Sequence, residues 1–348
     1  MSDSSSNSCE SRTKAVHQLI DVLIQSNPEN QGFLLNTLES LLKAQRDNPD
    51  PGDLKLIQVA LGELVESCLL FKNYRDTRKV AIFGSARTKP EHPNYTIAED
   101  TARRLAESGM MVITGAGPGI MEAGNKGAGD SGFGLNIELP FENEPNEFIE
   151  ADSKLLNYRY FFARKLAFIK ESDAVALFPG GFGTQDEAFE VLTLIQTGRC
   201  APRPVLLINF DKSNYWSSWR HYVKEQLLDR EYISEEDLAI YEEVTSVDEL
   251  IARIKEFYST YHSVRYVNKV TSMRLNNPLR TGMLEEINEK FSFLLKSGDF
   301  QLKQAADVPG EADIYPEKLR LVFHFDLANY GGLYQLINFI NSHCAEVS

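Results

Sequence analysis

The sequence predicts an α/β protein: a Rossmann-like, doubly wound parallel sheet with an N-terminal helical extension and a small C-terminal α+β segment. Three observations predict it. Short, near-continuous apolar runs at Val80–Phe83, Met110–Thr114, Ala174–Phe178 and Pro204–Ile208 alternate with stretches of helical periodicity. Strands that are apolar along their whole length belong to parallel sheets covered on both faces. Three of the strands end in glycine-rich turns, where such sheets gather their ligands. Upstream of residue 75 the pattern is helical alone. The expected boundaries are 1–75 for a disordered start and helical extension, 76–262 for the sheet domain, and 263–348 for the C-terminal α+β extension.

Taken in order, residues 1–12 are serine-rich and have the composition of a disordered start. Apolar residues then recur at helical spacing in three runs between Lys14 and Lys72: Val16–Leu23, Phe33–Leu42 and Leu54–Leu69. DNPDPGD, residues 47–53, separates the second and third, because two prolines and a glycine break helices. This preface reads as a packing or dimerisation collar. From Lys79 strands and helices alternate: strand 80–83, helix Tyr95–Ser108, strand 110–114, helix Met121–Ser131, strand Gly134–Leu139. Helix Asn157–Glu171, strand 174–178, helix Glu187–Gln196 and strand 204–208 complete the series. Beyond it, Trp216–Leu228 and Val247–Tyr261 are helical. Met283–Leu295 (helix), Asp299–Ala306 and Leu319–Phe325 (strands) and Leu333–Ser342 (helix) form a unit that can stand as a small lobe.

Composition excludes several classes. The charged fraction of 25% and apolar fraction of 43% are those of a soluble globular chain, and 348 residues leave room for one main domain with appendages. Thirty-six Lys and Arg against 50 Asp and Glu give −14. That balance opposes nonspecific binding to nucleic acid or anionic membranes. Cys9, Cys68, Cys200 and Cys344 are scattered, with no metal-ligand spacing and no disulfide framework. No apolar run reaches the roughly 20 residues of a membrane helix, and the polar start lacks a leader's apolar stretch. The expectation is a cytoplasmic protein with no metal, no cofactor and no membrane association.

The chemistry is carried by the turns. FGSAR (83–87) places Gly84 and Ser85 after a strand, which suits a phosphate or nucleoside contact or a plain strand-to-helix connection. TGAGPGIMEAGNKGAG (114–129) carries Gly115, Gly117 and Gly119 before a helix. It resembles a dinucleotide fingerprint, but follows the second strand and has Pro118 where that fingerprint requires none. PGGFGTQDE (179–187) is the sharpest signal. Gly180, Gly181 and Gly183 expose consecutive N–H groups, and the helix expected to begin near Gln185 adds roughly half a positive charge. Thr184 is placed to cap that helix and to donate to a phosphate oxygen. The bland reading makes Thr184 an N-cap, Asp186 and Glu187 dipole partners, and the glycines a tight turn. An acid beside an anion cradle is better explained if it faces a sugar. Upstream, Arg159, Arg164 and Lys165 lie among aromatics on the expected helix, either as solvated cations or with one guanidinium turned inward.

These motifs resemble those of the Lonely Guy (LOG) family. PGGFGTQDE fits its PGGxGTxxE, Arg164-Lys165 fits the Arg-Lys preceding it, and FGSAR and GAGPGIME resemble its first two glycine turns. The resemblance covers about residues 78–260. GAGPG stands in place of GGG, as in the longer bacterial-type members, and both extensions lie outside the minimal family fold. The resemblance implies phosphoribohydrolase activity: cleavage of the N-glycosidic bond of a nucleoside 5′-monophosphate, such as AMP or a cytokinin riboside monophosphate, to base and ribose 5-phosphate. It implies Arg164 and Glu187 as the catalytic pair. Gly180, Gly181, Gly183 and Thr184 would contact the phosphate, with Gly84, Ser85, Gly115, Gly117, Gly119, Lys165 and Asp186 as further substrate contacts. It also implies a homodimer or higher homo-oligomer. Proteins with this motif have often been labelled lysine decarboxylases, but nothing here suggests a pyridoxal phosphate lysine with its supporting groups. The alternative is a non-catalytic nucleotide sensor using the same pocket.

Overall fold

A computed structural model describes residues 18, 20, 21, 30–48, 50–140, 144–210, 213–267 and 270–342. The serine-rich start and nearly all of the first predicted helix lie outside the described residues. The chain divides into two compact units, Met1–Gly62 and Glu63–Ser348. The first holds α1 (Gln31–Asp47), which has no buried residue, and the start of α2 (Pro51–Phe71). Pro51 opens α2, and the Asp50 carboxylate accepts from the N–H groups of Gly52 (2.8 Å) and Asp53 (3.1 Å). The predicted break at 47–53 is thus a capped helix start. No helix among the described residues is long and apolar enough to cross a membrane.

The second unit contains two sheets. The strands of the first are β1 (Lys79–Phe83), β2 (Met111–Thr114), β3 (Gly132–Ile137), β4 (Leu155–Tyr158), β5 (Ala174–Leu177), β6 (Val205–Ile208) and β7 (Tyr241–Val244). They lie all parallel in the order β4-β3-β2-β1-β5-β6-β7. The helices between them are α3 (Pro93–Glu107), α4 (Ile120–Ala128), α5 (Phe161–Glu171), α6 (Phe182–Gln196) and α7 (Tyr215–Tyr222), then α8 (Val247–Phe257). Alternation along β1 builds two layers. Val80 and Ile82 join the apolar cluster of α3, α4 and α8, whereas Ala81 and Phe83 join that of α2, α5 and α6. The chain runs from β1 outward to β4, then returns to β5 on the other side of β1. That reversal places the topological switch point, and hence the expected ligand crevice, at the carboxyl ends of β1 and β5.

The second sheet is antiparallel, in the order β10-β11-β9-β8. It comprises β8 (Tyr261–Val267), β9 (Val270–Leu275), β10 (Leu295–Lys303) and β11 (Leu319–Phe325), with α9 (Met283–Lys290) and α10 (Tyr330–Ser342). Met273, Leu275, Leu321 and Phe323 share one apolar cluster with Ile113, Leu135 and Val175 of the parallel sheet. At its centre Glu311, with no exposed surface, holds Arg274 through both carboxylate oxygens (2.7 and 2.8 Å) and Arg320 at 2.8 Å, with Arg265 at 3.2 Å. Hydrogen bonds from Arg274 and Arg320 overcome desolvation and hold the Glu311 carboxyl down to about 2.

Several sequence expectations are corrected. The helix read over 157–171 begins only at Phe161, because Leu155–Tyr158 is an edge strand. β4 and β7 are the sheet's two edges and only partly buried, so LLNY and YEEV lack the continuous apolar run of the inner strands. The β8–β9 hairpin falls where the sequence suggested helix or gave no element. The helix expected near Gln185 starts at Phe182, so Thr184 lies within its first turn and Gly181, without a side-chain bond, is the N-cap.

Candidate active site

The turns after β1, β2 and β5 meet at the switch point. The Phe178 N–H donates to Phe83 O (2.8 Å) and the Ser85 N–H to Pro179 O (3.3 Å), so the first and third turns are zipped together. The Ile120 N–H donates to Ser85 O (3.1 Å), which ties the second turn to the first. Gly119, at φ 70°, makes that approach sterically feasible: a Cβ there would stand 2.4 Å from Ser85 O. Ala116 also adopts a left-handed conformation, φ 60°. Thr114 Oγ accepts its N–H (3.1 Å), and Asn146 donates to its carbonyl from backbone (2.8 Å) and side chain (2.9 Å). The second turn is therefore held from both sides in a conformation it would not adopt alone.

Together the turns wall a cavity of about 770 Å³, within the size range of small-molecule sites. Gly84, Ser85, Gly115, Gly117, Arg164, Gly180, Gly181, Gly183, Thr184, Asp186 and Glu187 all line it. Two sequence candidates do not. Gly119 works behind the wall, and Lys165 pairs with Asp186 (2.9 Å) and Glu190 (2.5 Å) of α6. Against desolvation, those two acids raise the Lys165 pKa and keep its ammonium charged. Arg159 precedes α5 and turns to Glu138 (2.9 Å), away from the cavity wall.

The third turn has the geometry of an anion cradle. Gly180 cannot carry a side chain, because its Cβ would meet Thr184 Oγ at 2.1 Å. Gly181 and Gly183 are different: a Cβ at either would find nothing within 4 Å. Protein packing does not demand glycine there, whereas close approach of a ligand to the backbone would. On the far side, the Tyr215 hydroxyl donates to Gly180 O (2.6 Å) and accepts from the Gln185 amide (2.6 Å). Since the peptide is trans, fixing that carbonyl outward aims the Gly181 N–H the opposite way. The first-turn N–H groups of α6 and the positive end of its dipole complete the cradle.

Arg164 and Glu187 face this cradle from different helices. Arg164 is 9% exposed; its Nε donates to Leu135 O (2.7 Å) and Nη2 to Gly115 O (3.4 Å), and Nη1 has no partner among the described residues. Burial lowers its pKa, while the charge of Glu187 opposes that shift. Glu187 is 7% exposed, and its Oε2 is buried with no hydrogen-bond partner. No direct ion pair joins it to Arg164 among the described residues. Desolvation raises its pKa to about 7, although the Lys165 and Arg164 charges pull the other way. A buried carboxyl oxygen with no partner, on a group poised near neutrality at a cavity wall, marks Glu187 as the functional-site candidate.

Sequence reasoning did not assign Arg87, Asn136, Phe161, Phe182 or Gln185 to the cavity they line, nor Tyr215 to the turn it pins. Arg87 had a readable signal, its place in FGSAR directly after the first strand. Asn136 and Tyr215 reach the site only through the tertiary arrangement. Phe182, within the expected turn, opens α6 and is 97% exposed.

Comparison with known proteins agrees with this geometry. The family model described as "Possible lysine decarboxylase" matches residues 115–254, a span that runs from the second turn through Arg164 and Glu187. "Probable cytokinin riboside 5'-monophosphate phosphoribohydrolase LOGL3" of Oryza sativa subsp. japonica is 29% identical over 167 residues, covering 47% of this chain and 77% of that protein. "Cytokinin riboside 5'-monophosphate phosphoribohydrolase LOG3" of Arabidopsis thaliana is 24% identical over 189 residues, covering 54% and 86%. Among solved structures, a molybdenum cofactor binding protein from Rippkaea orientalis aligns over 51% of this chain and 96% of its own, at 19% identity and a TM-score of 0.37. The central segment of this chain is thus a relative, at low identity, of the Lonely Guy proteins.

Proposed function

We propose that the 76–262 segment hydrolyses the N-glycosidic bond of a nucleoside 5′-monophosphate, of the AMP or cytokinin riboside monophosphate type, to free base and ribose 5-phosphate. The observation that carries this reading is the unpartnered, buried carboxyl of Glu187 in the same cavity as an anion cradle. The relatives named as phosphoribohydrolases support it at the level of the family.

The spacing along α6 suits the reaction. The phosphate sits at the helix N-terminus against Gly181, Gly183 and Thr184. Glu187 follows five residues after Phe182, roughly 7.5 Å further along the axis at 1.5 Å per residue. Its side chain leans back towards the helix N-terminus, and so towards the ribose that hangs from the phosphate. The C1′–N bond breaks with positive charge growing on the ribose, and water adds its oxygen to C1′ while the base takes up a proton. The Glu187 carboxylate stabilises that charge or orients the water. Arg164, through its free Nη1, holds the phosphate or ribose in place. Binding energy from the phosphate aligns the sugar for attack.

The assembly we propose is a homodimer or larger homo-oligomer acting in the cytoplasm. Phe161, Phe162 and Leu166 on α5 are each about half exposed, which favours a covered face. The net charge of −14 disfavours nucleic acid as a partner. Incubating the purified protein with a panel of nucleoside monophosphates and following free base by chromatography tests the function. Release of base from at least one of them is expected; binding of the panel without release from any would reject hydrolysis.

A further inference from the structure

We infer that Arg87 is a phosphate-binding residue of this site, the cation that lets it distinguish a phosphorylated sugar from an unphosphorylated one; the inference rests on the nucleotide reading above. A phosphate monoester brings close to two negative charges at neutral pH. The cradle offers backbone N–H groups and a helix end worth roughly half a charge. It also faces Asp186 and Glu187. Arg164 supplies one charge beside Glu187, and a doubly charged phosphate is better matched by a second side-chain cation.

The cations of the region differ in what already occupies them. Lys165 is held by Asp186 and Glu190 and lies outside the cavity wall. Arg164 lines the cavity, but two of its three nitrogens donate to the carbonyls of Leu135 and Gly115. Arg87 also lines it, and among the described residues its guanidinium has no hydrogen bond, ion pair or ring contact. Its fork of donors is free to meet a phosphate bidentately. An exposed arginine is ordinarily a solvated one. This arginine is placed by the cradle itself: its N–H donates to Ser85 Oγ (3.1 Å), and the Ser85 N–H donates to Pro179 O at the start of the PGG turn. FGSAR and PGGFGT are thus two halves of one anion site across β1 and β5, with Arg87 supplying the charge that the glycines cannot.

Isothermal titration with ribose 5-phosphate and with inorganic phosphate tests this on the full chain, comparing wild type with Arg87→Ala and Arg87→Lys. Arg87 is exposed, so unchanged melting temperatures are expected for both variants. Arg87→Ala is expected to weaken both ligands by about tenfold or more, the scale of a lost hydrogen bond to a charged group. kcat/KM for the nucleotide should fall by a similar factor or more, because phosphate binding also aligns the sugar, and Arg87→Lys should restore part of the affinity. Wild-type affinity in Arg87→Ala, or no gain on restoring the charge as Lys, would overturn the assignment while leaving the nucleotide reading intact. A wild type that binds neither ligand would instead sink that reading, and the Arg87 assignment with it.

Discussion

Replacing Glu187 by Gln separates what the site does for catalysis from what it costs the fold. The carboxyl titrates at about 7 in the folded chain against an ordinary 4.5, chiefly because burial disfavours its charged form. Between those values the unfolded chain has released a proton that the folded chain still holds, so folding stability falls as pH rises from about 4.5 to 7. A difference of about 2.5 at roughly 1.4 kcal/mol per pH unit gives a penalty on the order of 3 kcal/mol, complete above pH 7. Glutamine keeps the shape and cannot ionise, so the variant escapes the penalty. Its melting temperature relative to wild type should therefore climb by several degrees between pH 5 and pH 8. Over the same range it should lose base release while still binding AMP. Thermal melts of both proteins at a series of pH values, paired with the chromatographic assay, read both effects. A stability difference that stays flat with pH would refute the buried, unpartnered carboxyl. Full activity in the variant would refute its role in bond cleavage.

Three further substitutions separate packing from ligand binding and test the second sheet. Gly180→Ala should destabilise the fold by roughly 1–3 kcal/mol, since its Cβ would overlap the buried Thr184. Gly183→Ala meets nothing and removes a helical glycine, so it should raise stability by about 0.5–1 kcal/mol while raising KM for a phosphorylated substrate. Denaturant melts and KM measurements check both, and a Gly183→Ala enzyme with unchanged KM would mean that no phosphate lies against that turn. Glu311→Gln leaves Arg274 and Arg320 buried without their counter-charge, an expected loss of about 3–5 kcal/mol. Its carboxyl is held down to about 2, so the wild-type contribution should be complete above about pH 4.5 and fade as pH falls towards 2; melts across that range would show it.

The inner strands were legible because burial on both faces leaves a signature, as in the continuous run of Val80–Phe83. The edge strands were not: Tyr241–Val244 keeps two glutamates on a partly solvated edge and reads as polar chain. β9 conceals itself differently, since buried Thr271, Ser272 and Arg274 interrupt its apolar pattern, and Arg274 is tolerable only because Glu311, distant in sequence, comes to meet it. At the site, the glycine turns announced a cradle, but they also masked the helix start at Phe182. Three glycines in four positions read as a turn because glycine is a poor helix former, yet Gly183 lies inside the first turn of α6. The placement of Lys165 was beyond any local reading. Its neighbour Arg164 enters the cavity and Lys165 does not, a difference decided by Asp186 and Glu190 on the facing helix.

One dipeptide, Tyr215-Trp216, ties the glycine turn to the body of the parallel sheet. Tyr215 reaches forward to fix the Gly180 carbonyl, whereas Trp216, fully buried, donates from its indole to Ile208 O (3.0 Å) at the end of β6. Trp216 belongs to the apolar cluster that Met273, Leu321 and Phe323 of the antiparallel sheet complete. A close-packed cluster transmits displacement rather than absorbing it. The tyrosine that pins the glycine turn is therefore anchored through its neighbour Trp216, which is locked to the end of β6.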